Sequence, residues 1–172
     1  MLIRKETAAD RPAILNLVAA AFERRDRPDE KPVEVELQRR LMESAAYIPE
    51  LSLVAEDGGR IMGAVITTRA WVEDQPVLGL GPISVSPDRQ GRGVGTELIN
   101  ATIAAAEKLG ESTIVLLGST EYYPRFGFVP ASRWGIAAPE TAWGDHFQAL
   151  PLRSHSSRIR GRFRYAAPFD DV

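Results

Sequence analysis

The sequence predicts an α/β fold, a mixed and mostly antiparallel sheet with helices on its faces, and three stretches predict it. Leu51-Ser52-Leu53-Val54-Ala55-Glu56 and Ile61-Met62-Gly63-Ala64-Val65-Ile66 flank Asp57-Gly58-Gly59, which is a hairpin signal. The apolar run 77–85, a glycine-rich loop, an amphipathic helix and the apolar run 113–118 form a strand, helix, strand unit. Such a unit makes a right-handed crossover between two parallel strands, while the short connections before it make the earlier strands antiparallel. At 172 residues with 44% apolar content, the chain has enough material for one domain with a substantial core and too little for a second.

Taken in order, Leu2-Ile3-Arg4 reads as a short first strand. Thr7 or Asp10 then caps a helix, and Pro12 favours Asp10, because proline fits the first turn, where no N–H is needed. Ile14, Leu17, Val18, Ala21 and Phe22 recur at helical spacing as the buried stripe. A charged loop over 24–31 leads into a second helix over about 33–44, with Val33, Leu37 and Leu41 inward. In the strand at 77–85, Gly79, Gly81 and Pro82 predict a bulge, since proline cannot donate to a ladder. A bulge there splays this strand from its parallel neighbour and opens a gap in mid-sheet, and the alternative is that Pro82 marks a strand start.

The next helix presents Val94, Leu98, Ala101, Thr102, Ala105 and Leu109 on one face and stops at Gly110. The strand at 113–118 is apolar throughout, as for one buried on both faces. Residues 130–152 read as irregular, with Trp134, Trp143 and His146 among them. Residues 158–165 alternate strictly, which predicts a final strand with Ile159, Phe163 and Tyr165 inward and the arginines outward.

A net charge of −2 with both signs spread along the chain predicts no general attraction to nucleic acid or an anionic membrane. The arginine row of the final strand would suit nucleic acid, but an exposed edge strand charged against aggregation accounts for it, and no nucleic-acid partner is expected. The same strand offers a surface for a homodimer. There is no cysteine, hence no disulfide and no thiolate, and the two histidines are isolated, so no metal is expected. The first residues are charged before any apolar run develops and no apolar stretch reaches eighteen residues, so the expectation is a soluble, cytoplasmic protein without a membrane partner.

The chemistry is concentrated at Gln90-Gly91-Arg92-Gly93-Val94-Gly95, between a strand and a helix. Glycines there let the backbone take positive φ and approach a ligand, and the first N–H groups of a helix point outward with the positive end of its dipole behind them, which together make an anion site. A nucleoside-triphosphate loop needs a lysine after its last glycine, and the chain has none between Lys31 and Lys108. The dinucleotide fingerprint G-x-G-x-x-G would place its third glycine at Thr96 or Leu98, and residues 114–118 lack the acidic group it requires. The pattern that remains is Q-x-x-G-x-G.

With the preceding strand and Ser86-Pro87, Gln90, Gly93 and Gly95 resemble the coenzyme A pyrophosphate loop of the GCN5-related N-acetyltransferases, the GNAT superfamily. Tyr122-Tyr123-Pro124-Arg125-Phe126-Gly127-Phe128 resembles the Y-x-x-x-G-F helix of the same family, in the expected order after the strand at 113–118. The likeness covers roughly residues 2–130 and is greatest toward YhbS-like acetyltransferases.

The resemblance implies the GNAT acyl-CoA N-acyltransferase fold, a mostly antiparallel sheet with a splayed parallel pair and about four flanking helices. It implies a single N-acetyltransferase domain over 1–172, with 1–130 as the family core and 131–172 as a C-terminal segment. Acetyl-CoA would be the co-substrate, without a metal, and the acetyl group would pass by direct attack to a primary amine of a small molecule or peptide. Main-chain groups of Ile83, Ser84 and Val85 would pair with the pantetheine arm, and Arg89, Gln90, Gly91, Arg92, Gly93, Val94, Gly95 and Thr96 would cradle the pyrophosphate. Tyr123 would hydrogen-bond the coenzyme sulfur as general acid, and Tyr122 would fill core. The loop between the first two helices would border the acceptor. The alternative is a non-catalytic acyl-CoA-binding regulatory module. For the general base, Glu73, Asp74, Glu121, Asp145 and His146 stand at suitable positions and none is singled out. Trp71, Trp134 and Trp143 would line an acceptor pocket or fill core.

Overall fold

The computed structural model describes residues 1–172. In chain order its strands are β1 (Leu2–Lys5), β2 (Ser52–Asp57), β3 (Arg60–Val72), β4 (Gln75–Val85), β5 (Thr113–Leu117), β6 (Val129–Pro130), β7 (Ile136–Ala137), β8 (Phe147–Pro151) and β9 (Gly161–Arg164). The α-helices are α1 (Arg11–Ala21), α2 (Val33–Glu43) and α3 (Val94–Lys108). The fourth helical segment expected from the sequence is a 3-10 turn, Tyr123–Phe126. The sheet runs β1-β2-β3-β4-β5-β8-β6, all neighbours antiparallel except β4 and β5.

The β3–β4 hairpin is the spine, and its register slips where the sequence put the bulge. Val65 faces Ile83 and Thr67 faces Leu80, so Gly81 and Pro82 stand opposite Ile66 alone. The extra residue bends β4 away from β5. The two strands pair only at Leu78 with Ile114 and at Gly79 with Val115. From Leu80 onward the edge of β4 facing β5 has no strand on it.

Successive residues of a strand point to opposite faces, and the two faces are covered by different helices. Leu53, Ala55 and Val65 pack with Val94 and Leu98 of α3, whereas Val54, Ala64 and Ile66 pack with Ile14, Val18, Leu37 and Leu41 of α1 and α2. α3 sits close to the sheet because Gly63 has no side chain: a Cβ there would lie 2.7 Å from Val94. The buried face of α3 is Val94, Leu98, Ile99, Thr102 and Ala106, so Ile99 and Ala106 replace the expected Ala101 and Ala105, and Leu109 is exposed beside the terminating Gly110. In α2, Val33 is exposed and Val35, Leu37, Gln38, Leu41 and Met42 face inward.

Asp10 precedes α1 as expected, but its carboxylate turns back. It accepts from the Thr7 amide at 2.7 Å and from the Arg4 guanidinium at 2.8 and 3.0 Å. The Arg4 hydrogen bonds hold the Asp10 carboxyl well below the usual carboxylate range. A carboxylate whose folded-state pKa is depressed stabilises the fold fully above its unfolded pKa of about 4 and progressively less as pH falls below it. Asp10→Asn is therefore expected to cost about 1–3 kcal/mol at pH 7. Thermal unfolding of the two proteins should differ by less at pH 3 than at pH 7.

The C-terminal quarter departs most from expectation. The stretch read as irregular contains β8, which pairs along the whole of β5 from Thr113 with Pro151 to Leu117 with Phe147. β9 is not a free edge: it pairs with the end of β3 (Trp71 with Arg164, Val72 with Phe163) and, in parallel, with β7. Ile159 and Phe163 are buried as the alternation requires, and Arg158, Arg160, Arg162 and Arg164 are exposed. No helix is long and apolar enough to cross a membrane.

Candidate functional site

Two cavities meet at the splay between β4 and β5. The first, about 530 Å³, is bounded by Ile83 and Val85 of β4, by Arg89, Gln90, Gly91 and Gly93 of the loop, and by Val94, Gly95 and Thr96 of α3. Ala21 and Phe22 close it from the end of α1, and Tyr122, Tyr123 and Arg125 from the 3-10 turn region. Two residues nominated from the sequence lie outside this lining. Ser84 points to the other face of β4, where its hydroxyl is buried with no partner, and Arg92 is exposed on the outer side of the loop.

The loop is shaped for an anion by its main chain. Gly91 and Gly93 take φ of 74° and 86°, the left-handed conformation that residues with a Cβ adopt at a cost. Gly93 thereby becomes the residue preceding α3, and the first helical hydrogen bond runs from the Glu97 amide to its carbonyl at 3.0 Å. From Gly91 to Thr96 no backbone N–H has an acceptor within the protein. Consecutive free N–H groups at the positive end of a fifteen-residue helix, on a cavity wall, bind phosphate groups.

Side chains brace this loop more than they extend it. The Gln90 amide donates to the Val85 carbonyl at 3.1 Å, tying the loop back to β4. Arg60 donates to Asp88 at 2.9 Å and to the Ser86 hydroxyl at 2.8 Å, fixing the turn before the loop, and this ion pair holds the Asp88 carboxyl well below its ordinary range. Arg89 lies 3.4 Å from Asp57. Gly95 is required for close approach, since a Cβ there would come within 3.3 Å of the Tyr122 hydroxyl. That hydroxyl shares a 3.1 Å hydrogen bond with Thr96. Tyr122, read from the sequence as core, is thus part of the cavity wall, and Arg125 lies 4.4 Å from its ring centre at the same wall.

The second cavity, about 430 Å³, lies on the other side of Tyr123. Phe22, Ile83 and Tyr123 belong to both walls. The rest of the second wall comes from Leu80 to Pro82 at the bulge, Leu116 and Leu117 of β5, Glu34 and Leu37 of α2, and Trp143, Tyr165, Phe169 and Val172 of the C-terminal quarter. Of the tryptophans considered from the sequence, Trp143 lines this cavity, while Trp71 and Trp134 line neither cavity.

Tyr123 stands at the junction with its ring on Gly118. A Cβ at Gly118 would fall 2.4 Å from the ring, so this position is glycine because the ring occupies the space. The ring packs edge-on to Tyr122 (5.1 Å) and Phe128 (5.9 Å), and its hydroxyl has no hydrogen-bond partner in the protein. Burial, with a contribution from Tyr122, pushes that hydroxyl up to about 12. The polar residues considered for a base lie elsewhere: Glu73 accepts from the Arg162 amide at 2.8 Å, the His146 ring is 3.1 Å from the Gly118 carbonyl oxygen, and Asp74, Glu121 and Asp145 are exposed outside both cavities. Glu34 is the carboxylate that reaches the second cavity. No group of three or more His, Cys, Asp or Glu side chains is gathered as a metal site would need.

The comparisons with known proteins agree with this geometry. Residues 12–128 match the model of the acetyltransferase (GNAT) family. The chain is 34% identical over 143 residues to the uncharacterized N-acetyltransferase YjhQ of Escherichia coli K12, covering 78% of this chain and 79% of that one. Among solved structures it is similar to a GNAT family acetyltransferase from Brucella melitensis in complex with acetyl-CoA (33% identity, 98% and 97% of the two chains, TM-score 0.79). It is also similar to YhbS from Escherichia coli in complex with CoA (26% identity, 98% and 91%, TM-score 0.86). A match to the family model over residues 12–128, together with relatives of this likeness and the same splayed parallel pair, means that the protein belongs to the GNAT acetyltransferase family.

Proposed function

We propose that this protein transfers the acetyl group of acetyl-CoA to a primary amine by direct attack. The observation that carries the proposal is the unbroken run of acceptor-less amides from Gly91 to Thr96, opening onto the unpaired edge of β4. The amides suit the diphosphate, and the free edge at Ile83 to Val85 suits the amide-bearing pantetheine arm, which pairs as a strand would. This path brings the thioester to the junction at Tyr123.

In the transfer the amine nitrogen attacks the thioester carbonyl, a C–N bond forms, the C–S bond breaks, and the coenzyme leaves as a thiolate. Tyr123, with no other use for its hydroxyl proton, donates a hydrogen bond to the developing thiolate. Full proton transfer from a group near 12 to a thiolate of pKa about 8.5 would be uphill by about 5 kcal/mol, so the hydroxyl stabilises charge and water completes the protonation. The ammonium form gives one proton to solvent before the nitrogen can attack, and the nitrogen gives up a second as the C–N bond forms.

Isothermal titration with acetyl-CoA, followed by assay of free thiol release across an amine panel, tests the proposal. Binding together with amine-dependent release supports it; binding without release on any amine assigns the chain to acyl-CoA-binding modules instead. Gly118→Ala should displace the Tyr123 ring and lower turnover about tenfold to hundredfold, with acetyl-CoA affinity retained. Thiol release at saturating acetyl-CoA checks it.

A further inference from the structure

The second cavity has a composition that selects among amines. Leu37, Leu80, Pro82, Trp143, Tyr165 and Phe169 line it, with Tyr165 and Phe169 stacked at 4.3 Å between ring centres. The charged side chain on its wall is Glu34, in the first turn of α2, and it has neither an ion pair nor a hydrogen bond. Its neighbour Glu36, in the same turn, is tied to Arg39 and Arg40. An unpaired carboxylate on an otherwise apolar wall attracts a cationic group, and no other side chain on that wall carries charge.

We propose that the acceptor is a primary amine carried on an apolar, preferably aromatic, body, with the aromatic wall taking the body and Glu34 drawing in the ammonium group. The assignment rests on the acetyl-transfer reading. The geometry favours an acceptor over a longer acyl chain in this cavity, because an acyl tail gives Glu34 nothing to pair with. The shared wall at Ile83 and Tyr123 places an amine held here next to the thioester. Arginine or lysine lining, which a carboxylate-bearing acceptor would need, is absent from this wall.

The test compares 2-phenylethylamine and 3-methylbutylamine with ethanolamine and glucosamine, which carry the same charge on polar bodies. The expected result is a kcat/KM about a hundredfold higher for the apolar pair, the discrimination that burying a phenyl or branched alkyl group supplies. Glu34→Gln should raise the amine KM about tenfold and leave the acetyl-CoA dissociation constant unchanged. Equal or better turnover of the polar amines overturns the inference, as does a preference for longer acyl-CoA donors without discrimination among amines. A second measurement needs no chemistry: the Trp143 contribution to fluorescence, isolated by difference against Trp143→Phe in the CoA-loaded protein, should respond to 2-phenylethylamine and not to ethanolamine. A response without turnover would sink acetyl transfer and leave the pocket assignment standing; silence toward 2-phenylethylamine would sink the pocket assignment itself.

Discussion

Tyr123→Phe is expected to lower kcat about a hundredfold while changing the acetyl-CoA dissociation constant by no more than about twofold. The substitution removes only a hydroxyl with no partner in the protein, and the ring contacts with Tyr122, Phe128 and Gly118 survive in phenylalanine. Whatever is lost is therefore an interaction made as the thiolate develops, which appears in turnover rather than in ground-state binding. Steady-state thiol release and calorimetry on the same preparation separate the two. Because burial raises the hydroxyl to about 12, its proton is held throughout the usual assay range, and no falling alkaline limb below about pH 11 should be traceable to this group. Equal kcat in the two proteins would remove Tyr123 from the reaction.

Gly95→Leu should show the second large effect, a loss of at least a hundredfold in acetyl-CoA affinity in a protein that still folds. Position 95 lies in the first turn of α3 on the wall of the first cavity, and even a methyl group there meets the Tyr122 hydroxyl at 3.3 Å. A leucine must turn into the space facing the free amides. Its backbone needs no left-handed conformation, and glycine is about 1 kcal/mol worse than a good helix former inside a helix, which offsets part of the crowding against Tyr122. Calorimetry should show the weakened binding, and thermal unfolding should remain a single cooperative transition. Unchanged affinity would mean that the ligand does not pass this face of the helix.

Much of this arrangement was legible in the sequence because it is dictated locally. The turn at Asp57-Gly58-Gly59, the bulge at Gly81-Pro82 and the loop glycines are each set by backbone rules that act within a few residues. The parts that were not legible depend on contacts between distant segments. The Y-x-x-x-G-F spacing singles out Tyr123, but nothing local shows that Tyr122 also reaches the first cavity, where its hydroxyl lies against Gly95 and Thr96. Glu34 reads as an ordinary acidic residue complementing a helix N-terminus, and only the fold brings it onto the same cavity wall as Trp143, Tyr165 and Phe169. The strand β8 was hidden because Phe147-Gln148-Ala149-Leu150-Pro151 has no alternation to distinguish it, yet it pairs along all of β5. Likewise, nothing in the arginine row of β9 announces that its backbone lies against β3 and β7.

Phe22, Ile83 and Tyr123 form a partition shared by the two cavities. On the proposed reading, with the coenzyme in the first cavity and the amine in the second, each ligand would rest against side chains that the other also touches. Thermodynamic reciprocity requires any factor by which acetyl-CoA tightens the grip on the amine to be returned unchanged by the amine to acetyl-CoA.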